Sequence, residues 1–167
     1  MYDRFRINSA LRFATRAHLG QKRKYNNKAY ISHPIEVARV VSTVDHSEEM
    51  LMAALLHDVV EDTPVTLEEV TRRFGEVVGE YVRFLTDVSV PEDGNRALRK
   101  RMDAEHYARG PAEAQTIKVA DLIHNTSDIK VQDPAFWKLY RVEKQYSLSL
   151  LTKADPLLIQ QAMSQLS

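Results

Sequence analysis

The sequence predicts an all-α protein folded as a single domain, and three observations support this fold class. The chain has 167 residues, of which 44% are hydrophobic, so it is long enough for one substantial core and too apolar for general disorder. Apolar residues recur at helical spacing along nearly the whole chain. No segment shows the sustained alternation of β-branched residues that is typical of a strand. We therefore expect about eight or nine helices within residues 1–167.

The first third of the chain is predicted to contain three helices. Residues 3–19 form the first helix, and residues 20–30 form a basic, turn-prone loop. A second helix covers residues 34–43, because its leading proline loses no backbone hydrogen bond in a first turn. The third helix, over residues 47–61, ends before Thr63-Pro64.

Capping residues, glycines and prolines divide the rest of the chain. Thr66-Leu-Glu-Glu69 has the pattern of a capping box, in which a hydroxyl and a carboxylate satisfy free N–H groups at a helix start. Gly75 separates that short helix from the next, and Asp155 before Pro156 marks the start of the last one. The helices expected between them are 76–87, 95–109, 112–131 and 134–153, with a turn at 91–94.

Composition excludes several classes of function. Lys and Arg total 23, as do Asp and Glu, so the formal net charge is zero and broad binding to nucleic acid or membranes is not expected. The absence of cysteine excludes disulfides, zinc–thiolate sites and thiol catalysis. The N-terminus has no signal-peptide core, and no run approaches the ~18 apolar residues of a membrane span. The expected location is the cytoplasm.

The end of the third helix carries an unusual concentration of charge. On a helical wheel, apolar side chains fill one wide sector, whereas His57, Asp58, Glu61 and Asp62 fill the opposite one. Three carboxylates at a helix C-terminus oppose the helix dipole and repel each other. Such an arrangement costs stability unless something positive lies there, although a solvated helix end remains the alternative.

Two other segments offer candidate partners for this helix end. His33 precedes a proline at a helix start, where it also fits a cap or turn residue. Asp121 begins a polar stripe on a later helix, which by itself is typical of a solvent-facing side. If the segments meet, two imidazoles and two carboxylates provide mixed nitrogen and oxygen ligands that suit Mn²⁺ or Fe²⁺, or Zn²⁺ if fewer engage. Such an ion lowers the pKa of bound water and polarises a phosphoryl oxygen, and Glu61 and Asp62 are placed to act on that water.

Four sequence blocks contain or adjoin these candidate residues. They are His18-Leu-Gly-Gln-Lys-Arg-Lys24, Tyr30-Ile-Ser-His-Pro34, Ala54-Leu-Leu-His-Asp-Val-Val-Glu-Asp-Thr63 and Lys118-Val-Ala-Asp-Leu-Ile-His-Asn125. In this order they resemble the HD superfamily of metal-dependent phosphohydrolases. The resemblance is strongest to the hydrolase domain of RelA/SpoT proteins and to the stand-alone small alarmone hydrolases of the Mesh1 type, and it covers roughly residues 8–150.

This resemblance implies an activity and a set of site residues. The expected reaction is hydrolysis of the 3′-pyrophosphate of (p)ppGpp to pyrophosphate and GDP or GTP. One Mn²⁺ is expected to be held by residues matching His33, His57, Asp58 and Asp121. Glu61 and Asp62 match the catalytic pair. Residues that match substrate-binding positions are Arg23, Lys24, Asn125 and Tyr146.

Some features leave the substrate open. The sequence departs from the family pattern at Asn27, Ala29, Leu122 and Ser127, which lie near the nucleotide-facing residues. The basic cluster 99–101 fits either distal phosphates or a solvated helix face. Another nucleotide that is phosphorylated on a ribose hydroxyl, such as NADPH or an adenine alarmone, is the alternative substrate, and a non-catalytic nucleotide-binding module is a further alternative. Because the chain stops at Ser167, before any synthetase domain, we expect it to degrade the alarmone and not to make it.

Overall fold

The computed structural model describes residues 4–167 and confirms the all-α class. The predicted start of the first helix at residue 3 lies outside the described residues. Between residues 4 and 167 the only pairing of β type is an isolated bridge between Lys22 and Ala29. The helices are α1 Arg4–Ala17, α2 Ser32–Val41, α3 Glu48–Leu56, α4 Val59–Asp62, α5 Leu67–Phe74, α6 Glu76–Leu85, α7 Arg96–Arg109, α8 Ala112–Gln132, α9 Pro134–Leu150 and α10 Pro156–Gln165, with a 3-10 turn at Pro91–Asp93.

Local chemistry accounts for several helix boundaries. The Asp155 carboxylate accepts hydrogen bonds from the N–H groups of Leu157 and Leu158 and begins α10. The Thr66 hydroxyl accepts from the N–H of Glu69, as the predicted capping box requires, but the Glu69 carboxylate bonds to Arg73 instead of returning to Thr66. Gly75, with a φ of 99°, lies between α5 and α6 in a conformation that favours glycine.

Helix α8 is the centre of the fold. It contacts α2, α3, α6, α7, α9 and α10. Its Ile117, Val119 and Ala120 are fully buried. Helix α3 is buried almost all round, and Met52 and Leu56 are inaccessible to solvent. Burying each large apolar side chain contributes roughly 1.5–3 kcal/mol, so the packing of α2 and α3 against α8 is strongly stabilised.

The single helix predicted over residues 47–61 is wrong, because the chain turns at His57-Asp58 between α3 and α4. The Nδ1 of His57 donates a hydrogen bond to the carbonyl oxygen of Ala54 over 2.8 Å. In a regular helix that oxygen accepts from the N–H of residue 58, so the side chain competes with the helical bond. The break therefore falls at the two residues that the sequence marks as most unusual.

None of the helices within residues 4–167 is long and apolar enough to cross a membrane.

Candidate metal centre

Three separate parts of the fold meet around two histidine rings. The start of α2 contributes His33, the turn between α3 and α4 contributes His57 and Asp58, and the middle of α8 contributes Asp121. The Nε2 of His33 lies 3.1 Å from Asp121 Oδ1 and 3.5 Å from Asp58 Oδ2. The Nε2 of His57 lies 3.1 Å and 3.8 Å from Asp58 Oδ2 and Asp121 Oδ1. The structure thus brings together the four residues that the resemblance proposes as ligands.

The chemistry of this cluster fits a divalent cation. Ligand atoms of His33, His57 and Asp58 all lie within 4.8 Å of one another, and the two Nε2 atoms are 3.3 Å apart. Burial disfavours the charged form of His57, but the carboxylates of Asp58 and Asp121 outweigh it and raise its pKa to about 10. Two imidazole nitrogens and two carboxylates facing one point are the mixed donor set that Mn²⁺, Fe²⁺ or Zn²⁺ accepts.

Neighbouring side chains hold both carboxylates in place. The Tyr30 hydroxyl donates to Asp58 Oδ2 over 2.7 Å. The Lys118 ammonium lies 3.1 Å from Asp121 Oδ2, and the Asn125 amide donates to Asp121 Oδ1 over 2.7 Å. Such outer partners orient the carboxylates and preserve their charge.

Glu61 and Asp62 lie on α4, one turn beyond this cluster, and both are exposed. Glu61 Oε2 accepts a hydrogen bond from the backbone N–H of Asp87 over 3.2 Å. Partial exclusion of water and the nearby Asp87 charge raise the pKa of Glu61 to about 7. Desolvation and the Asp58 charge also raise the pKa of Asp62. A carboxyl group such as that of Glu61 can take up a proton close to neutral pH.

The basic loop brings Arg23 to the site but leaves Lys24 outside it. One Arg23 nitrogen lies 3.0 Å from both Asn125 Oδ1 and Asp128 Oδ2 on α8. The Lys24 side chain is 75% exposed, with its ammonium 3.9 Å from Asp133. The loop closes through backbone hydrogen bonds from Arg23 to Lys28 and from Tyr30 to Gln21.

Tyr146 contacts a different region. Its hydroxyl lies 3.4 Å from Glu105, and the Arg101 guanidinium lies 5.4 Å from the centre of its ring. Both partners belong to α7. The structure therefore does not bring Tyr146 into contact with the histidine–aspartate cluster.

The four departures from the family pattern have separate structural settings. Asn27 has a φ of 56°, in the left-handed region that asparagine tolerates better than most residues other than glycine. Ala29 forms the isolated bridge with Lys22. Leu122 is buried in the core, whereas the Ser127 hydroxyl is exposed and bonds to the His124 carbonyl within α8. The histidine–aspartate cluster contains none of the four.

Sequence reasoning missed a buried polar group that supports Glu61. Asp103 on α7 is fully buried, and its Oδ1 accepts from the backbone N–H groups of Val88 and Ser89 over 3.1 and 3.0 Å. Lys100, considered only within the basic cluster 99–101, lies 2.6 Å from Asp87 and 3.1 Å from Asp103. This network holds in place the segment that includes Asp87, whose backbone N–H donates a hydrogen bond to Glu61.

A sequence signal for this network was present. Lys100, Asp103 and Tyr107 recur at i, i+3 and i+7 on one side of α7. Tyr107 completes the group by bonding to Asp87. The spacing places the three side chains on one face, but it does not reveal that this face turns inward.

Sequence reasoning also did not predict the unusual setting of Lys144 on α9. It lies on the side of α9 that carries the buried Tyr140, Ser147 and Leu148, with its ammonium 5.3 Å from the Tyr140 ring. Burial, together with the positive charge of Lys118, lowers the pKa of Lys144 to about 8.

Comparisons with known proteins agree with this geometry. The HD-domain family matches residues 10–145. The guanosine-3′,5′-bis(diphosphate) 3′-pyrophosphohydrolase MESH1 of Xenopus tropicalis is 38% identical over 144 residues, covering 84% of this chain and 78% of that protein. Human MESH1 is 37% identical over 138 residues, covering 80% of this chain and 75% of that protein.

A solved structure also matches the whole fold. It belongs to a metazoan ortholog of SpoT described as hydrolysing ppGpp, and it superimposes with a TM-score of 0.87 at 31% identity, covering 99% of this chain and 96% of that one. The helical arrangement and the sequence similarity thus extend over the same residues that form the cluster. The chain belongs to the HD-domain family and, within it, to the MESH1-like relatives of SpoT.

Proposed function

We propose that this protein hydrolyses the 3′-pyrophosphate of ppGpp and pppGpp, using Mn²⁺ held by His33, His57, Asp58 and Asp121. The observation that carries the proposal is the convergence of these four side chains beside the Glu61-Asp62 pair. The relatives named as guanosine-3′,5′-bis(diphosphate) 3′-pyrophosphohydrolases support the same substrate. The whole of residues 1–167 acts as one domain in this proposal.

The reaction breaks the bond between the ribose 3′-oxygen and the adjoining phosphorus. A bound divalent cation supplies polarisation of a phosphoryl oxygen and a lowered pKa for water. Glu61 accepts the proton that the attacking water loses, and Asp62 helps to orient that water. The 3′-oxygen leaves with a proton as a hydroxyl group, and the water oxygen remains on the released pyrophosphate.

Cations around the cluster suit a substrate dense in phosphate. Arg23 is held beside Asn125, so one guanidinium and one amide are presented together to the nucleotide. Lys24 is exposed and able to reach a phosphate at the rim. Contact between Tyr146 and the substrate stays a prediction, because its present partners lie on α7.

The change at residue 127 is a reason to test other nucleotides. The family usually carries an arginine there, and this chain has an exposed serine beside Asp128. Losing that cation changes the edge expected to face the nucleotide, so NADPH and an adenine alarmone are the alternative substrates to test. A binding module without turnover is disfavoured, since a pure binder has no evident use for Glu61 and Asp62.

The decisive experiment combines metal analysis with a nucleotide panel. The protein is purified, its metal content is measured, and it is incubated with Mn²⁺ and ppGpp, pppGpp, NADPH or an adenine alarmone. We expect pyrophosphate and GDP from ppGpp, and no turnover by the His57→Ala variant. Turnover of NADPH without release of pyrophosphate from ppGpp would reassign the substrate. No bound transition metal together with no activation by Mn²⁺ would contradict the enzymatic proposal.

A further inference from the structure

We infer that His124 is a positioning residue that fixes the tautomer and orientation of His33 and so keeps His33 Nε2 available to the metal ion. This inference rests on the proposed metal site. It assigns a role to a histidine that is not itself one of the four proposed ligands. The observation behind it is a direct contact between two imidazole nitrogens.

The two rings meet edge to edge inside the protein. The Nδ1 atoms of His33 and His124 are 2.7 Å apart, and the ring centres are 4.9 Å apart with planes inclined at 34°. His33 is only 1% exposed, and the rings of Tyr30 and His57 lie against it. At this distance exactly one of the two facing nitrogens carries the shared proton in the neutral pair.

His57 provides a comparison within the same cluster. Its Nδ1 faces the carbonyl oxygen of Ala54. Because a carbonyl only accepts, the proton of neutral His57 is held on Nδ1, and Nε2 keeps the lone pair that binds a metal. The backbone therefore settles the tautomer of one histidine ligand.

At His33 the partner of Nδ1 is the side chain of His124 instead of a backbone carbonyl. If His33 Nδ1 donates to His124 Nδ1, then His33 Nε2 keeps its lone pair. If His124 donates instead, the proton of neutral His33 lies on Nε2, where Asp121 Oδ1 is 3.1 Å away, and the lone pair is lost. The metal-binding state of His33 thus requires His124 to accept at Nδ1 and to carry its own proton on Nε2.

The arrangement also links two helices at the site. His124 follows Asp121 by one helical turn on α8, whereas His33 lies in the first turn of α2. Helix α8 therefore supplies one proposed ligand and also orients a second from another helix. Histidine ligands depend on such partners, whose removal typically weakens metal affinity about 10- to 100-fold.

The test measures metal affinity directly as well as activity. Mn²⁺ is titrated into metal-free wild type, His124→Phe and His124→Asn and followed by electron paramagnetic resonance, with thermal unfolding as the check on folding. His106→Phe is the control, since His106 lies on α7 and bonds to the Arg83 carbonyl of α6. We expect His124→Phe to weaken Mn²⁺ binding about 10- to 100-fold. His124→Asn retains an accepting oxygen and should recover part of the affinity, and the control should match wild type.

A tautomer measurement on wild type keeps the inference testable even if a variant fails to fold. Long-range proton–nitrogen NMR of the Zn²⁺-loaded protein should find the His124 proton on Nε2 and the His33 proton on Nδ1. A His124 proton on Nδ1, or wild-type Mn²⁺ affinity in His124→Phe, would overturn the role of His124 while leaving the proposed function intact. Failure of wild type itself to bind Mn²⁺ or Zn²⁺ would overturn both.

Discussion

Glu61 has surroundings that differ from those of an ordinary surface carboxylate. It is open to solvent, yet it accepts the Asp87 N–H and lies one turn beyond the cluster around His57. A group that is exposed, fixed by the backbone and not needed as a ligand can meet both water and substrate. These properties are those of a general base and lead to two predictions about this residue.

Glu61→Gln should reduce kcat by about 100-fold or more, because glutamine keeps the size of the side chain but cannot accept the proton. Mn²⁺ affinity should stay at the wild-type value, since Glu61 is not a proposed ligand. Steady-state kinetics with ppGpp and a metal titration measure the two effects. Glu68→Gln, an exposed change on α5, is the control. Wild-type kcat in Glu61→Gln would show that another group is the base.

The raised pKa of Glu61 predicts a dependence of stability on pH in the metal-free protein. Because its folded pKa is about 7 and its ordinary value is 4.5, the folded state holds this proton more tightly than the unfolded chain does. That contribution to stability is complete below pH 4.5 and is lost as the pH rises through 7. Denaturant unfolding of wild type and Glu61→Gln should therefore show a stability difference that shifts in favour of Glu61→Gln between pH 5 and pH 8. A difference that is constant with pH would contradict this assignment.

At the scale of single elements, the segment between α6 and α7 depends on one buried carboxylate. Asp103 receives two backbone N–H groups and the Ser89 hydroxyl and pairs with Lys100. Asp103→Asn removes the negative charge, while Lys100 keeps its other carboxylate partner, Asp87. We expect the free energy of unfolding to fall by about 2 kcal/mol, because hydrogen bonds to a charged acceptor become hydrogen bonds to a neutral amide oxygen.

The same variant should also slow catalysis, because the segment carries the N–H that holds Glu61. Urea unfolding and the kcat for ppGpp measure the two effects, and Glu92→Gln, an exposed change in the 3-10 turn, is the control. Unchanged kcat in a folded Asp103→Asn protein would mean that the segment does not position Glu61.

Helix α9 carries a lysine whose placement is costly to the fold. No carboxylate within residues 4–167 pairs with Lys144, and burial lowers its pKa to about 8. Lys144→Met should therefore raise Tm by about 3 °C, since an apolar chain of similar length replaces an unpaired ammonium. If the ammonium meets substrate phosphate, KM for ppGpp should rise severalfold in the same variant.

Lys138→Met is the matched control for that change, because Lys138 is exposed on the same helix. Differential scanning calorimetry and steady-state kinetics give the two readouts. A lower Tm for Lys144→Met would show that the lysine stabilises the fold. An unchanged KM would exclude its contact with substrate.

For the whole molecule, the proposed metal centre joins α2, the α3–α4 turn and α8, so a bound ion should contribute to global stability. A ligand that binds only the folded state stabilises it by about 2.7 kcal/mol when present at 100 times its Kd. Adding Mn²⁺ to metal-free protein should raise Tm accordingly, and a chelator should reverse the change. His57→Ala should abolish the shift. A Mn²⁺-dependent shift that survives in His57→Ala would place the ion elsewhere.

Much of the fold and the site could be predicted because helical periodicity, caps and breakers are local. Asp155, Thr66 and Gly75 begin or separate helices where the sequence predicts, and the family blocks contain all four proposed ligands. The turn at His57-Asp58 was missed because it involves competition between a side chain and a backbone N–H for the Ala54 carbonyl. The role of Asp103 was missed because a polar residue on a helix face has no local signal of burial.

By itself, the sequence determined the helical class, the helix-starting residues and the supply of imidazoles and carboxylates for a metal site. Only the tertiary structure decided that His33, Asp58 and Asp121 meet, that Tyr146 contacts α7, and that His124 joins His33. The physical reason is that spacing along a chain specifies which face of its own helix a side chain occupies. The distance between side chains on different helices depends on how those helices pack, and here α8 brings the candidate residues of α2 and of the α3–α4 turn to one point.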